Sequence, residues 1–120
     1  MAKLVDKHYL YEQSVQCVEA EIDFIENTFQ TIRKHPARKL REDFCGTTNT
    51  ACEWIKRDKK NRAFCIDLEA DVLAWGKKHK HSELTKEQEK RIHLINDNVL
   101  TANTPGVDVV LAMNFSYWLL

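Results

Sequence analysis

The sequence predicts an α/β fold in which a parallel sheet of about four strands follows an N-terminal helix. Short apolar runs alternate along the chain with segments of helical period, an order that builds a parallel sheet through right-handed crossovers. Each apolar run also ends in an acidic or amide residue. Because the carboxyl ends of parallel strands share one edge of a sheet, we expect these polar residues to lie together, where such sheets bind ligands.

The composition indicates a single globular domain spanning residues 1–120. Of the 120 residues, 43% are hydrophobic and 30% are charged, which is typical of a folded domain rather than of a disordered chain. The formal net charge of +0 gives no long-range attraction to nucleic acid or to an anionic membrane. No apolar run approaches the length of about 18 residues that a membrane span needs. The N-terminus shows no secretion signal, so we expect a cytoplasmic protein with reduced thiols.

The cysteines do not form a metal-binding pattern. There are four of them, Cys17, Cys45, Cys52 and Cys65. None belongs to the C-x-x-C pair that is typical of structural zinc sites, so the sequence predicts no metal site. We interpret them as small buried hydrophobic residues.

A helix is predicted over about residues 12–34, within a helical lead-in that spans residues 1–36. Apolar residues recur there at steps of three and four, which indicates one apolar face. These residues are Val15, Val18, Ile22, Ile25, Phe29 and Ile32. Pro36 ends the pattern. We interpret the apolar stripe as a face packed on the core, and self-association through it is the alternative.

Two strand–helix units are predicted next. The first strand covers residues 37–45 and leads to a helix over residues 50–57. The second strand is the apolar run 63–66, which suits a buried parallel strand, and its helix covers residues 70–80. The inner faces of the two helices are predicted to be Ala51, Trp54, Ile55, Val72, Leu73 and Trp75.

The last predicted elements are a polar crossover and two strands. The alternating charges of residues 77–91 indicate a solvated face or a long loop, in which Thr85 and Gln88 form a capping box for a short helix. The third strand covers residues 92–95. The fourth strand, residues 107–113, is the most apolar segment of the chain.

Polar residues end all four predicted strands, and they suggest how a ligand is held. They are Glu42 and Asp43 beside the Gly46 turn, Asp67, Asp97 with Asn98, and Asn114. A glycine turn that opens a helix offers backbone N–H groups to an anionic group, and an acid beside it takes a cationic group. Asp67 can accept hydrogen bonds from ribose hydroxyls, or it can cap the following helix. Asp97 can accept from an exocyclic adenine amine, or it can be a turn aspartate.

Four motifs occur in order along the chain: Leu-Arg-Glu-Asp-Phe-Cys-Gly-Thr-Thr-Asn at 40–49, Ile-Asp-Leu at 66–68, Asn-Asp-Asn at 96–98, and Leu-Ala-Met-Asn-Phe-Ser-Tyr-Trp at 111–118. In order and spacing they resemble the Rossmann-like class I S-adenosylmethionine-dependent methyltransferases. The resemblance covers about residues 37–120. It implies a transferase that binds S-adenosyl-L-methionine and carries out methylation.

The resemblance also implies which residues bind the cofactor. They are Glu42, Phe44, Cys45, Gly46, Asp67, Leu68, Asp97, Asn98, Val99 and Asn114, with the amide of Asn98 or Val99 facing a ring nitrogen. The first motif of the family carries glycines at alternate positions, of which only Gly46 remains here, between Phe44 and Thr48. A side chain at Thr48 is expected to narrow the room for the methionine part of the cofactor.

The mechanism that the resemblance implies is direct displacement at the methyl group, with the protein holding the acceptor in line. Asn114 and Tyr117, with Ser116 between them, are the candidates for catalytic residues on the acceptor side. No base is evident, because His93 lies within a strand and is interpreted as a packed core residue. The sequence does not specify the acceptor.

The predicted sheet lacks the later strands of the family, so we expect a truncated domain that contains the cofactor-binding half. Such a sheet would leave the fourth strand as an apolar edge, and we expect a homo-oligomer that covers it. Two alternatives remain open. One is a non-catalytic cofactor-binding or interaction module. The other is an NAD-dependent reductase, because Gly46, Thr48 and Ala51, followed by Asp67, form a degenerate dinucleotide-binding pattern.

Overall fold

The structure is a computed structural model that describes residues 7–45, 48–112 and 116–119, with the side chains of residues 17–45 and 48–112. Its helices are α1 (Lys7–Arg33), α2 (Asn49–Arg57), α3 (Ala70–His79) and α4 (Lys86–Lys90), with a 3₁₀ turn at His81–Glu83. Its strands are β1 (Lys39–Asp43), β2 (Arg62–Asp67), β3 (Ile92–Asn96), β4 (Val109–Ala112) and β5 (Ser116–Leu119). The alternation of strands and helices confirms the predicted α/β class.

The strands form one sheet in the order β3-β2-β1-β4-β5. Strands β1 to β4 are parallel to one another, as predicted. Asp43 lies opposite both Ile66 and Ala112, and Asp67 lies opposite Asn96. The carboxyl ends of these four strands therefore lie at one edge of the sheet, which we call the carboxyl rim.

The fourth strand is not the edge of the sheet, and the prediction of an open apolar edge there is wrong. β5 runs antiparallel to β4, with Ser116 opposite Ala112 and Leu119 opposite Val109. Aromatic residues favour extended backbone, so the segment Ser-Tyr-Trp-Leu suits a strand that turns back along β4. The pairing with β5 removes the reason for expecting an oligomer across that edge.

Helices α1, α2 and α3 cover one face of the sheet. Leu40, Ala63, Ile92 and Val109 are register partners in adjacent strands, so their side chains share a face. Those side chains belong to one core cluster with Ile22, Ile25 and Phe29 of α1, Ala51, Trp54 and Ile55 of α2, and Leu73 of α3. The buried indole of Trp54 donates from Nε1 to the carbonyl oxygens of Arg38 (3.3 Å) and Arg62 (3.1 Å). This contact fixes α2 to the starts of β1 and β2.

One arginine fixes α1 against α2. The guanidinium of Arg57 donates to Glu53 Oε2 (2.7 Å), Asp23 Oδ1 (2.7 Å), Glu26 Oε1 (2.8 Å) and the carbonyl oxygen of Glu19 (3.1 Å). Burial lowers the pKa of Arg57, but the three carboxylates together outweigh it and raise the pKa. The position of α1 over the sheet therefore depends on a charged contact as well as on its apolar stripe.

Two predicted core residues lie at the surface. Ile32 is 56% exposed and Trp75 is 47% exposed. The indole of Trp75 instead stacks on His79, with ring centroids 4.2 Å apart. Cys17 is also exposed, whereas Cys45, Cys52 and Cys65 are buried as predicted.

The polar crossover between β2 and β3 contains the predicted capping box. Thr85 Oγ1 accepts from the Gln88 amide (3.1 Å), and the Thr85 amide donates to Gln88 Oε1 (2.9 Å). These two bonds satisfy amide groups at the start of α4. As for membranes, none of the helices in the described ranges is both long and apolar enough to cross a bilayer.

Candidate functional site

The loops that leave β2 and β3 are joined at the carboxyl rim. The Asp97 amide donates to the carbonyl oxygen of Asp67 (3.2 Å). The side-chain amide of Asn96 donates to the carbonyl oxygens of Asp67 (3.0 Å) and Leu68 (2.9 Å). The structure thus brings together three of the predicted site residues, and Asn96 holds them in place.

In the loop after β1, two residues that are not glycine adopt backbone angles that are usual for glycine. Phe44 has a φ of 58° and Thr48 a φ of 67°, both in the left-handed region that favours glycine. The Cys45 amide donates to the carbonyl oxygen of Ile66 (3.1 Å), and its own carbonyl accepts from the Thr48 amide (3.1 Å). Gly46, between them, lies outside the described residues. The two left-handed positions are those at which the family resemblance places the outer glycines.

The side chain of Thr48 does not extend across this loop. It is fully buried, and its Oγ1 lies 3.0 Å from Nε2 of His81 and 3.9 Å from Sγ of Cys52. Burial lowers the pKa of His81. The Thr48 hydroxyl is directed towards the 3₁₀ turn and α2. The side chain is therefore not expected to take up room beside the loop, contrary to the prediction from the sequence.

Two carboxylates, those of Glu42 and Glu21, influence each other beneath the rim on the face covered by helices. Glu42 is only 2% exposed, and burial, followed by the negative charge of Glu21, raises its pKa to about 8, although a hydrogen bond from Thr50 opposes this rise. Burial also raises the pKa of Glu21, which lies on α1. The Oε1 atom of each carboxylate is buried and has no hydrogen-bond partner among the described residues. A buried carboxyl of this kind can hold a proton or accept a positively charged group.

Asp43 points to the opposite face of the sheet from Glu42 and has a different role. Arg41 donates from Nε to Asp43 Oδ1 (2.7 Å), and its other nitrogens reach the carbonyl oxygens of Val99 (2.7 Å) and Ala102 (3.3 Å) and the hydroxyl of Thr104 (3.3 Å). This contact fixes the loop after β3 against β1. Sequence reasoning missed Arg41, although a charged residue in the middle of a central strand was a visible signal.

Asp67 is engaged in the turn that leads to α3. Its Oδ1 accepts from the Glu69 amide (2.9 Å), whereas the residue at the N-cap of α3 is Glu69, whose side chain makes no capping bond. A carboxylate has about four acceptor positions. One bond to the turn is therefore compatible with further bonds to a ligand.

Asp97 and the two residues after it form a second tight turn. Asp97 Oδ1 accepts from the Asn98 amide (2.7 Å), and Asn98 Oδ1 accepts from the Leu100 amide (2.8 Å). The Asn98 amide is therefore engaged within this turn. That the Asn98 or the Val99 amide faces a ring nitrogen stays a prediction. The Val99 amide makes no hydrogen bond to any residue in the described ranges, so Val99 is the better candidate.

Large apolar side chains lie exposed on each of the loops that follow β1, β2 and β3. Phe44 after β1 is 47% exposed, Leu68 after β2 is 63% exposed, and Leu100 after β3 is 88% exposed. Exposed apolar residues beside polar ones are typical of a ligand site. Phe44 and Leu68 were predicted site residues, whereas Leu100 was missed because nothing in its local sequence distinguishes it.

The acceptor side of the predicted site is only partly described. Asn114 lies outside the described residues. Tyr117 lies in β5 opposite Leu111, and its side chain is not among those described. The interpretation of His93 as a core residue is wrong, because its ring is exposed and stacks on Phe64 with centroids 4.9 Å apart.

The order of the parallel strands and the loops at their carboxyl ends define a Rossmann-like fold of the methyltransferase type. No protein-family model and no curated protein sequence matches the chain. Among solved structures, the plantazolicin methyltransferase BpumL in complex with SAH matches 88% of this chain with 12% identity and a TM-score of 0.68. The plantazolicin methyltransferase BamL, in complex with a triazolic desmethylPZN analog and SAH, matches 81% with 14% identity and a TM-score of 0.62.

The methyltransferase domain of the bacterial protein CtHen1 is similar over 86% of this chain, with 23% identity and a TM-score of 0.59. The chain spans 38%, 34% and 50% of the lengths of these three structures, in the order given. At these identities the similarity shows the fold, and that fold agrees with the predicted Rossmann-like arrangement.

Proposed function

We propose that this chain is the cofactor-binding part of an S-adenosyl-L-methionine-dependent methyltransferase. The observation that carries the proposal is the buried carboxyl of Glu42, which feels the charge of the partly buried Glu21. The Oε1 atom of each has no partner among the described residues. A buried carboxylate without a partner is costly, and an ammonium group would satisfy it. The similar structures BpumL and BamL contain SAH, which supports the same ligand class.

The residues of the rim fit the parts of this cofactor. Glu42 would hold the ammonium group of the methionine part, and Asp67 would accept hydrogen bonds from the ribose hydroxyls. Asp97 and the Val99 amide would face the adenine ring, with Leu68 against its plane. The other residues that we assign to the site are Phe44, Cys45, Gly46, Asn98 and Asn114, of which Asn98 would act through its turn with Asp97.

The bound cofactor would supply a methyl group activated by a sulfonium. The residues of this chain would then bind and orient it and exclude water from the rim. Asn114 and Tyr117 remain our candidates for contacts with the acceptor, whose class we leave open between a small molecule, a protein and RNA. We also propose a cytoplasmic location, in keeping with the absence of a disulfide among the four cysteines, all of which lie in the described ranges.

A non-catalytic cofactor-binding module is the second candidate. It is favoured by the fact that the chain spans only 34–50% of the lengths of the similar structures. An NAD-dependent reductase fits less well, because a carboxyl beside the loop suits a cationic group better than a pyrophosphate.

Calorimetric titration with SAH and with NADH tests the proposal. Wild type should bind SAH, and Asp67→Asn should bind it at least about tenfold more weakly, because hydrogen bonds to a charged acceptor contribute about 1.5–3 kcal/mol. Asparagine can still accept from the Glu69 amide, so this variant keeps the turn, and Asp71→Asn on exposed α3 is the matched control. If the protein binds NADH but does not bind SAH, the proposal is refuted. If it binds SAH but transfers no methyl group to any acceptor, the non-catalytic module is favoured.

A further inference from the structure

β3 is the open edge strand of the sheet. It pairs with β2, and no other strand in the described part of the chain lies beside it. The Arg91 carbonyl and the Asp97 amide, on either side of the strand, both bond towards β2. Because backbone directions alternate along a strand, the N–H and C=O groups of Ile92, Leu94 and Asn96 point outwards. This edge can pair with a further strand.

A cleft of about 640 Å³ lies along this edge, which we call the β3 cleft. Its walls come from α3, the 3₁₀ turn and α4, and its floor comes from β3. The residues that line it are Lys77, His81, Lys86, Glu89, Lys90, Ile92, His93 and Leu94. A volume of this size is within the range of about 300–1,000 Å³ that is usual for binding sites.

The β3 cleft is positively charged. Lys77, Lys86 and Lys90 line it together with a single carboxylate, that of Glu89. None of these three lysines forms an ion pair with a residue for which the structure gives a side chain. The nearby Glu87 does not line the cleft; it is bound to Arg91 at 2.7 Å and also feels the charge of Lys90. The cleft therefore favours an anionic partner.

The floor of the cleft favours an anionic peptide over a nucleic acid. The partly exposed Leu94 supplies apolar surface beside the largely buried Ile92, and the outward backbone of β3 supplies both N–H donors and C=O acceptors. A phosphate backbone offers only acceptors, so it cannot satisfy the donors and acceptors of a strand edge in register. An extended peptide offers both groups at the spacing of a strand.

We propose that the β3 cleft binds an extended acidic peptide segment of a partner protein, which adds to the sheet as a strand beside β3. The peptide backbone pairs with Ile92, Leu94 and Asn96, and its acidic side chains meet the lysines of the cleft. The site lies at the open edge of β3, so this inference does not depend on the proposed cofactor or reaction.

Amide hydrogen exchange measured by NMR tests the pairing directly. The probe is a capped octapeptide that alternates glutamate with valine, added at millimolar concentration to the full chain. Exchange at the amides of Ile92, Leu94 and Asn96 should slow at least about tenfold, because these groups gain hydrogen bonds. Two further peptides carry N-methyl groups on alternate residues, one peptide on the odd and the other on the even positions. The peptide whose methyl groups replace the N–H groups that face β3 should lose binding, and the other should keep it.

Protein variants test the charges. Lys77→Glu and Lys90→Glu should each weaken peptide binding at least about fivefold, because an attraction becomes a repulsion. Lys39→Glu makes the same change at the exposed start of β1, away from the cleft, and should bind as wild type does. Circular dichroism checks that all three variants fold.

Four results would overturn the proposal. The first is unchanged exchange at these amides at a saturating concentration of peptide. The second is equal binding of a peptide with lysine in place of glutamate, and the third is indifference to N-methylation in both registers. The fourth is slower amide exchange at β3 that appears when the protein concentration alone is raised, or when single-stranded RNA is added but not when peptide is added. That result would assign the edge to a second copy or to a nucleic acid.

Discussion

Burial of Glu42 predicts that the protein loses stability as the pH rises. The pKa of this carboxyl is raised from 4.5 to about 8, first by burial and then by the charge of Glu21. The folded state therefore binds the proton more tightly than the unfolded chain does. The contribution to stability is fully present below a pH equal to the ordinary pKa of 4.5 and is lost as the pH rises through about 8. A shift of this size corresponds to at most about 5 kcal/mol.

Glu42→Gln isolates this effect, because glutamine has nearly the same shape and does not ionise. Urea unfolding followed by circular dichroism at about pH 5 and about pH 8 gives the free energies of unfolding. The variant should lose most of the decline that wild type shows between the two conditions, and it should be the more stable protein at the higher pH. Glu69→Gln removes an exposed carboxyl at the same rim, so it should keep the decline of wild type.

Two results would refute this reasoning. One is a wild-type stability that does not change between the two conditions, and the other is a Glu42→Gln variant that is less stable than wild type at about pH 8. If an ammonium group of the cofactor binds beside Glu42, as we propose, binding should release a proton from this carboxyl. The heat of SAH binding should then depend on the ionisation enthalpy of the buffer.

Two further substitutions test local features of the fold by urea unfolding. Phe44→Gly should be about 1 kcal/mol more stable than Phe44→Ala, because both remove the ring but only glycine relieves the left-handed backbone; equal stabilities would contradict the positive φ. Arg57→Met should cost about 1–3 kcal/mol, because three carboxylates and the Glu19 carbonyl lose their shared donor. Lys56→Met breaks only the exposed 3.8 Å pair with Glu83 and should have no measurable effect, so an equal loss in both variants would argue against a special role for Arg57.

Sequence patterns predicted the strand–helix order because the signals involved are local. The apolar run at 63–66 lies within β2, and the capping box at Thr85 is present as predicted. β5 was missed because an apolar segment after a strand does not reveal whether it continues, stops or turns back. The pairing direction depends on which neighbouring edge is available, and that is a property of the assembled sheet.

The convergence of polar residues at the carboxyl rim could be predicted because parallel strands bring their ends together. The partners of those residues could not, since they come from distant parts of the chain. Glu21 lies next to the apolar stripe of α1 and has the character of a solvent-facing helix residue, yet it approaches Glu42. Arg41 likewise reaches Val99, which lies 58 positions further along. Contacts of this kind follow from tertiary packing and leave no local pattern.

The turn after β1 keeps its shape through its surroundings rather than through its composition. Phe44 and Thr48 hold dihedral angles that isolated residues of these types avoid, while the Cys45 amide and the Thr48 hydroxyl are fastened to neighbouring elements. A search pattern that demands glycine at both places would pass over this chain, whereas a comparison of backbone torsions would detect it. The property that distinguishes this turn is its backbone conformation, so residues of different types can share it.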